Sequence, residues 1–163
     1  MTKRIVLFTL VILALAACNR GKIEVERKAG GGATVTVTVS ESEINDVITE
    51  ALAVENPLLR DPHVDLQAGK IVVTGEHDQR DGSGRVSGNF TMTLSVQDGA
   101  LLAQITDVQI QGIDLSDERI ANINARMAQR LTERAGRENR IITVTSVTIT
   151  DNDVEIVFET DPR

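Results

Sequence analysis

Few side chains in this sequence are equipped for covalent or acid–base chemistry. Cys18 is the single cysteine, and His63 and His77 are the two histidines. One thiol excludes an internal disulfide framework and any multi-cysteine metal site. A serine-type nucleophile needs a histidine held by a carboxylate, and neither histidine lies in a G-x-S-x-G motif. His63 follows Pro62 ahead of an expected strand, and His77 lies at the polar end of an expected hairpin. Both read as surface histidines. The acidic pairs Asp151/Asp153 and Asp114/Asp117 offer oxygens of the kind Ca²⁺ takes, but not at EF-hand spacing. They read as turn formers and helix caps. Gly30-Gly31-Gly32 follows no strand and is not a phosphate loop. These residues point to a non-enzymatic protein without metal or cofactor.

Cys18 gains its meaning from what precedes it. Lys3 and Arg4 are followed by an apolar run, Ile5 to Ala17, broken only by Thr9. Such a run is too short for a stable transmembrane helix and fits an export signal. Leu15-Ala16-Ala17-Cys18 resembles the lipobox of bacterial lipoproteins. That resemblance implies cleavage before Cys18, a diacylglyceryl thioether on its sulfur and acylation of the new amino terminus. Residues 1–17 are then a lipoprotein signal peptide, and the partner is a membrane held through lipidated Cys18. Two or more acyl chains anchor stably where one does not. The expected location is the outer face of the cell membrane or the periplasmic side.

Composition sets the remaining bounds. The 163 residues suit one domain, with 41% apolar and 25% charged residues. Net charge is −7, with three Phe and no Trp or Tyr. Nucleic acid is excluded as a partner, because phosphates need cations and single strands need stacking platforms. Without Lys3 and Arg4, the mature chain holds 15 basic and 24 acidic residues.

Residues 18–33 read as the lipidated cysteine and a flexible linker, since no hydrophobic period runs through them and glycines close the segment. A single α+β domain spans 34–163. Thr34 to Val39 alternates as a strand with its valines inward. A helix follows, opened by a Ser40–Glu43 capping box, with Ile44, Val47, Ile48, Ala51 and Leu52 on one stripe, and stopped at Asn56-Pro57. Four strands come next: Val64 to Ala68, Lys70 to Glu76, Arg85 to Gln97 and Ala100 to Gln111. In the third of them, Val86, Gly88, Phe90, Met92, Leu94 and Val96 alternate with polar residues, which marks an antiparallel sheet with one wet face. The inward phase switches near Thr106-Asp107, and again between Val144 and Val147 in the penultimate strand. Each switch predicts a β-bulge. A second helix from about Ser116 to Ala135 buries Ile120, Ile123, Met127 and Leu131, with Gly136 as its stop. The strands Ile141 to Thr150 and Val154 to Glu159 finish the order β-α-β-β-β-β-α-β-β, an antiparallel β-meander packed on two helices.

Three features could meet a ligand or a membrane. On the second helix Arg119, Arg126, Arg130 and Arg137 share a narrow arc. A basic stripe beside an apolar one suits anionic head groups, whereas a solvated face paired with acids elsewhere explains it equally. Pro57-Leu58-Leu59 could form an apolar lip or simply cover the core. Phe90, Met92, Leu94, Ile120, Ile123 and Met127 would line any ligand interior, or fill a plain core.

The pattern as a whole resembles the LmeA-like phospholipid-binding proteins of bacteria and, more loosely, the tubular lipid-binding superfamily. The resemblance is carried by Val37 to Asn45, Ile71 to Glu76, Phe90 to Val96 and Val144 to Asp151. It implies a strongly curved antiparallel sheet wrapped on helices, an apolar interior and a phospholipid ligand. The expected function is a lipid-anchored protein that binds or shuttles lipid. The alternative is a scaffold lipoprotein pairing its sheet with another envelope protein.

Overall fold

The structure is a computed structural model that describes residues 22–29, 31–79, 81–135 and 142–160. Eight strands and two helices follow in the order β1 (Ile23–Arg27), β2 (Ala33–Ser40), α1 (Glu41–Leu52), β3 (Arg60–Gln67), β4 (Lys70–Asp78), β5 (Arg85–Gln97), β6 (Ala100–Gln109), α2 (Glu118–Ala135), β7 (Ile142–Ile149) and β8 (Asp153–Thr160). They form two four-stranded antiparallel sheets, β1-β2-β8-β7 and β3-β4-β5-β6. The class is α+β.

Two expectations are corrected. The strands do not make one meander, because β2 pairs with β8 and not with β3, Val35 opposite Phe158 and Val37 opposite Ile156. Nothing local encodes that pairing; it depends on which apolar faces meet. The extra strand β1 lies in what the sequence reads as linker. Ile23-Glu24-Val25-Glu26 is a short period-2 run, and every residue of β1 is exposed. No core face announces such a strand, since main-chain pairing to β2 is what holds it.

Local signals place most of the rest. At the start of α1 the Ser40 N–H donates to Glu43 Oε2 at 3.0 Å, part of a capping box. The helix buries Ile44, Val47, Ile48, Ala51 and Leu52 and ends there, short of Asn56-Pro57. In α2, Ile120, Ile123, Met127 and Leu131 are all buried. Both phase switches are bulges. Thr91 pairs with Asp107 and Met92 with Ile105, so Thr106 is the extra residue. Val144 pairs with Phe158 and Ser146 with Val157, so Thr145 is the other. Asp98 and Gly99 turn β5 into β6 with φ of 52° and 75°, the conformation that Asp-Gly hairpins favour.

Three of the four sheet edges are met by other elements. The Val64 N–H of β3 donates to Asn45 Oδ1 at 3.1 Å, and the Leu66 N–H to Glu41 Oε2 at 2.9 Å, both acceptors on α1. Across the sheet, the Ile105 N–H of β6 donates to Asn124 Oδ1 of α2 at 2.9 Å. The β7 edge meets two hairpin turns of the other sheet. Val144 N–H donates to Gly99 O at 2.8 Å, and Gly69 N–H donates to Ile149 O at 3.0 Å. Gly99 is required there a second time, since a Cβ would stand 2.8 Å from Thr143 Cγ2.

Replacing Asn124 with alanine should therefore strand the Ile105 amide and cost about 1–3 kcal/mol, the penalty for an unpaired buried donor. Asn122→Ala, at an exposed position on the same helix, should stay within about 0.5 kcal/mol of the parent. Urea unfolding of both variants checks this, and equal midpoints would show that water serves the amide equally well.

Candidate functional site

The expected ligand interior is a contiguous core. Phe90 and Met92 project from β5 and Ile120, Ile123 and Met127 from α2, and all five are at most 3% exposed. Leu94 is half-buried against the same cluster. Leu58 and Leu59 join it at 1% exposure each, so the segment after α1 covers one end of the core and presents no apolar lip. Gly75 lets that segment come close. A Cβ at this position would stand 2.6 Å from the Arg60 carbonyl oxygen and 3.2 Å from Leu59 Cβ.

His77 holds the segment in place. The sequence reads it as a surface histidine, and the structure buries it, with Nδ1 2.9 Å from the Leu58 carbonyl oxygen. Its signal lay in the strand period. His77 has the same parity in β4 as Ile71 and Val73, both fully buried. His63 is exposed as expected.

Two adjoining clefts open where this segment faces the start of α2. One, of about 710 Å³, is lined by Val54, Asn56, Leu58, Arg119, Asn122, Ile123 and Arg126 among others. The other, of about 720 Å³, runs past Asn56, His77, Asp78, Gln79, Arg119 and Asn122. Arg119, Asn122 and Asn56 stand between them. The first is reached by a predicted lining residue, Ile123.

The predicted arginine stripe divides on inspection of its partners. Arg119 grips Asp117 with both Nε and Nη2 at 2.9 Å and reaches Asn56 Oδ1 at 3.4 Å. The hydrogen bonds to Asp117 hold its guanidinium above the ordinary value, against a smaller opposing effect of burial. Arg130 lies 3.7 Å from Glu50 of α1 and 3.8 Å from Glu133, in half-exposed pairs worth at most about 1 kcal/mol. Arg126 donates from Nε to the Asn122 carbonyl at 3.1 Å and has no ion pair among the described residues. Arg137 and Cys18 lie outside the described residues. The sequence could supply Glu133 as a partner by helical spacing, but not Glu50, which depends on α1 packing against α2. The carboxylate of Asp78, which lines the second cleft, is bound by Arg60 and then Arg85 and held below the usual carboxylate range.

A sequence model of the LmeA-like phospholipid-binding family matches residues 13–159. The chain belongs to this family. No curated protein matches it. Among solved structures, a crystal structure of lipopolysaccharide binding protein aligns over 95% of this chain at 11% identity, with a TM-score of 0.24. The chain spans 47% of that protein's length.

For an LmeA-like domain the state of the interior can be measured. Phe90→Ala should cost about 3–5 kcal/mol if the ring is packed on all sides. A clearly smaller loss would reveal space already present beside it. His77→Ala should remove the partner of the Leu58 carbonyl and cost about 1–3 kcal/mol. That loss should appear as faster proteolysis within residues 53–59, while an unchanged cleavage rate would show that the leucines alone hold the segment.

Proposed function

We propose that this LmeA-like protein is a non-enzymatic lipoprotein that binds or shuttles phospholipid at the outer face of a bacterial membrane, tethered through lipidated Cys18. The family match over residues 13–159 carries the lipid-binding part of this reading. The signal-like segment and its terminal Leu15-Ala16-Ala17-Cys18 support the anchor. Among the described residues no helix is long and apolar enough to cross a membrane, which is compatible with attachment by acyl chains.

The cleft between residues 54–58 and α2 suits the mouth of the lipid site. Its floor includes Leu58 and Ile123, both part of the core cluster that continues to Met127 and Phe90. Its rim carries Asn122 and Arg126, whose polar groups can meet a phosphate and its ester oxygens. An acyl chain would enter by displacing the segment that His77 holds. The charge of Arg119 is already countered by Asp117, so it contributes hydrogen-bond geometry more than net attraction.

Two measurements test the two halves. Cys18→Ser should leave the protein unprocessed or release it from the membrane fraction; a processed, membrane-bound variant rules out the lipobox. Organic extraction and native mass spectrometry of protein taken from membranes should find phospholipid bound in addition to the covalent chains. A protein that carries none, and takes up none from vesicles, is not a lipid carrier.

A further inference from the structure

Sheet edges are closed by α1, by α2 and by the turns at Gly69 and Gly99, with one exception. The outer edge of β1 receives no hydrogen bond from any of these elements among the described residues. We propose that this edge strand is the surface that lies against the bilayer, at the level of anionic phospholipid head groups. The proposal rests on the anchored reading of Cys18 and adds to it an orientation.

The side chains of β1 are sorted by face. Ile23 is 64% exposed and Val25 60%, more than any other large apolar residue described. They stand opposite Val37 and Val35 of β2. Residues directly opposite share a face, so Ile23 and Val25 continue the core-facing side of the sheet past its covered part. Glu24 and Glu26 point to the other face. Thr38 N–H donates to the Lys22 carbonyl. The alternation of an antiparallel ladder then directs the N–H and C=O groups of Ile23, Val25 and Arg27 outward. Bare main chain of this kind is excluded from hydrocarbon and needs water or phosphate oxygens, which fixes the depth at the head groups.

Charge points the same way. Lys22 precedes the strand, Arg27 ends it and Lys28 follows it, three cations against Glu24 and Glu26 in a chain whose mature part is strongly acidic. Lys28 is occupied by Glu159 at 2.7 Å, while Lys22 and Arg27 have no ion pair among the described residues. Reach agrees as well. Four residues lie between Cys18 and Ile23, so the five steps span at most about 18 Å of extended chain. A lipid anchor at Cys18 therefore keeps β1 beside the membrane.

A second copy is the poorer occupant. In the register that pairs all five residues of β1, Val25 opposite its own copy, antiparallel self-pairing sets Glu24 opposite Glu26 twice. Like charges directly opposite are destabilising.

The test uses the lipidated protein in phosphatidylglycerol–phosphatidylcholine vesicles. With Cys18 blocked by its thioether, Val25→Cys supplies one free thiol for an environment-sensitive fluorophore. Ser83→Cys provides the control. It lies in the β4–β5 turn, at the end of its sheet away from the Gly69 and Gly99 turns that meet β7, and β7 is the edge opposite β1. The Val25 label should shift to the blue and be quenched by a lipid carrying a shallow nitroxide, and the Ser83 label should not. Adding Lys22→Gln and Arg27→Gln should lower the ratio of quenched to unquenched label about fivefold per charge removed. The effect should vanish in pure phosphatidylcholine and fade at 1 M salt, where screening shortens to about 3 Å. Vesicle-bound protein whose Val25 label stays aqueous overturns this surface and leaves the anchor standing. A Val25 label shielded from the nitroxide, with self-quenching that rises with protein density, assigns the edge to a second copy and also overturns it. Protein that does not stay with the vesicles removes the anchor and this surface together.

Discussion

The fold depends on how the main chain is satisfied where its sheets end. Each outer strand of a sheet presents a row of N–H and C=O groups that pair with whatever arrives. In this domain the two helices supply partners as well as apolar stripes. Asn45 and Glu41, four residues apart on one face of α1, receive the Val64 and Leu66 amides two residues apart on β3. The helical and strand periods match over that distance, so one helix face serves one strand edge. Asn124 does the same for β6 from the middle of α2. These acceptors fix each helix against its sheet in register, which hydrophobic burial alone would not do.

The second sheet is joined to the first through its own edge. The turns at Gly69 and Gly99 hydrogen-bond the main chain of β7 at Ile149 and Val144. At Gly99 the approach leaves no room for a Cβ, whereas Gly69 is favoured by its φ of 81° alone. The bulge at Thr145 lies one residue beyond the Val144 contact, so the ladder changes phase beside this junction. Apolar residues of both sheets and both helices then contribute to one core cluster. What closes three edges also leaves the fourth, at β1, as the place where a further partner would join.

The sequence made the inward faces legible wherever the period was sustained. The even positions of β5, the stripes of both helices and the two bulges all follow from alternation and its interruptions. The division into two sheets was not legible, because β2 and β8 are more than a hundred residues apart and each fits several partners. β1 escaped notice because it buries nothing, although Ile23-Glu24-Val25-Glu26 carried the alternation. His77 was misplaced for a different reason. Its polarity points to the surface and its parity with Ile71 and Val73 to the core, and a carbonyl at 2.9 Å makes a buried histidine acceptable. The clefts could not be read at all, since they arise from the tertiary placement of residues 53–59 against α2.

Lipid binding by a domain packed this closely is an exchange of contacts. Burying a methylene is worth roughly 0.8 kcal/mol, so a sixteen-carbon chain brings on the order of 12 kcal/mol of apolar burial. That is comparable to the whole stability of an ordinary domain, about 5–15 kcal/mol. A chain can therefore take the place of core contacts provided the segment that yields is held by few of its own. Residues 53–59 fit this condition better than either sheet. They contribute two leucines, one carbonyl bonded by His77 and the Asn56 side chain bonded by Arg119, whereas the strands are held by continuous ladders. On the proposed reading the opening falls between this segment and α2, where Ile123 reaches both the cleft and the core.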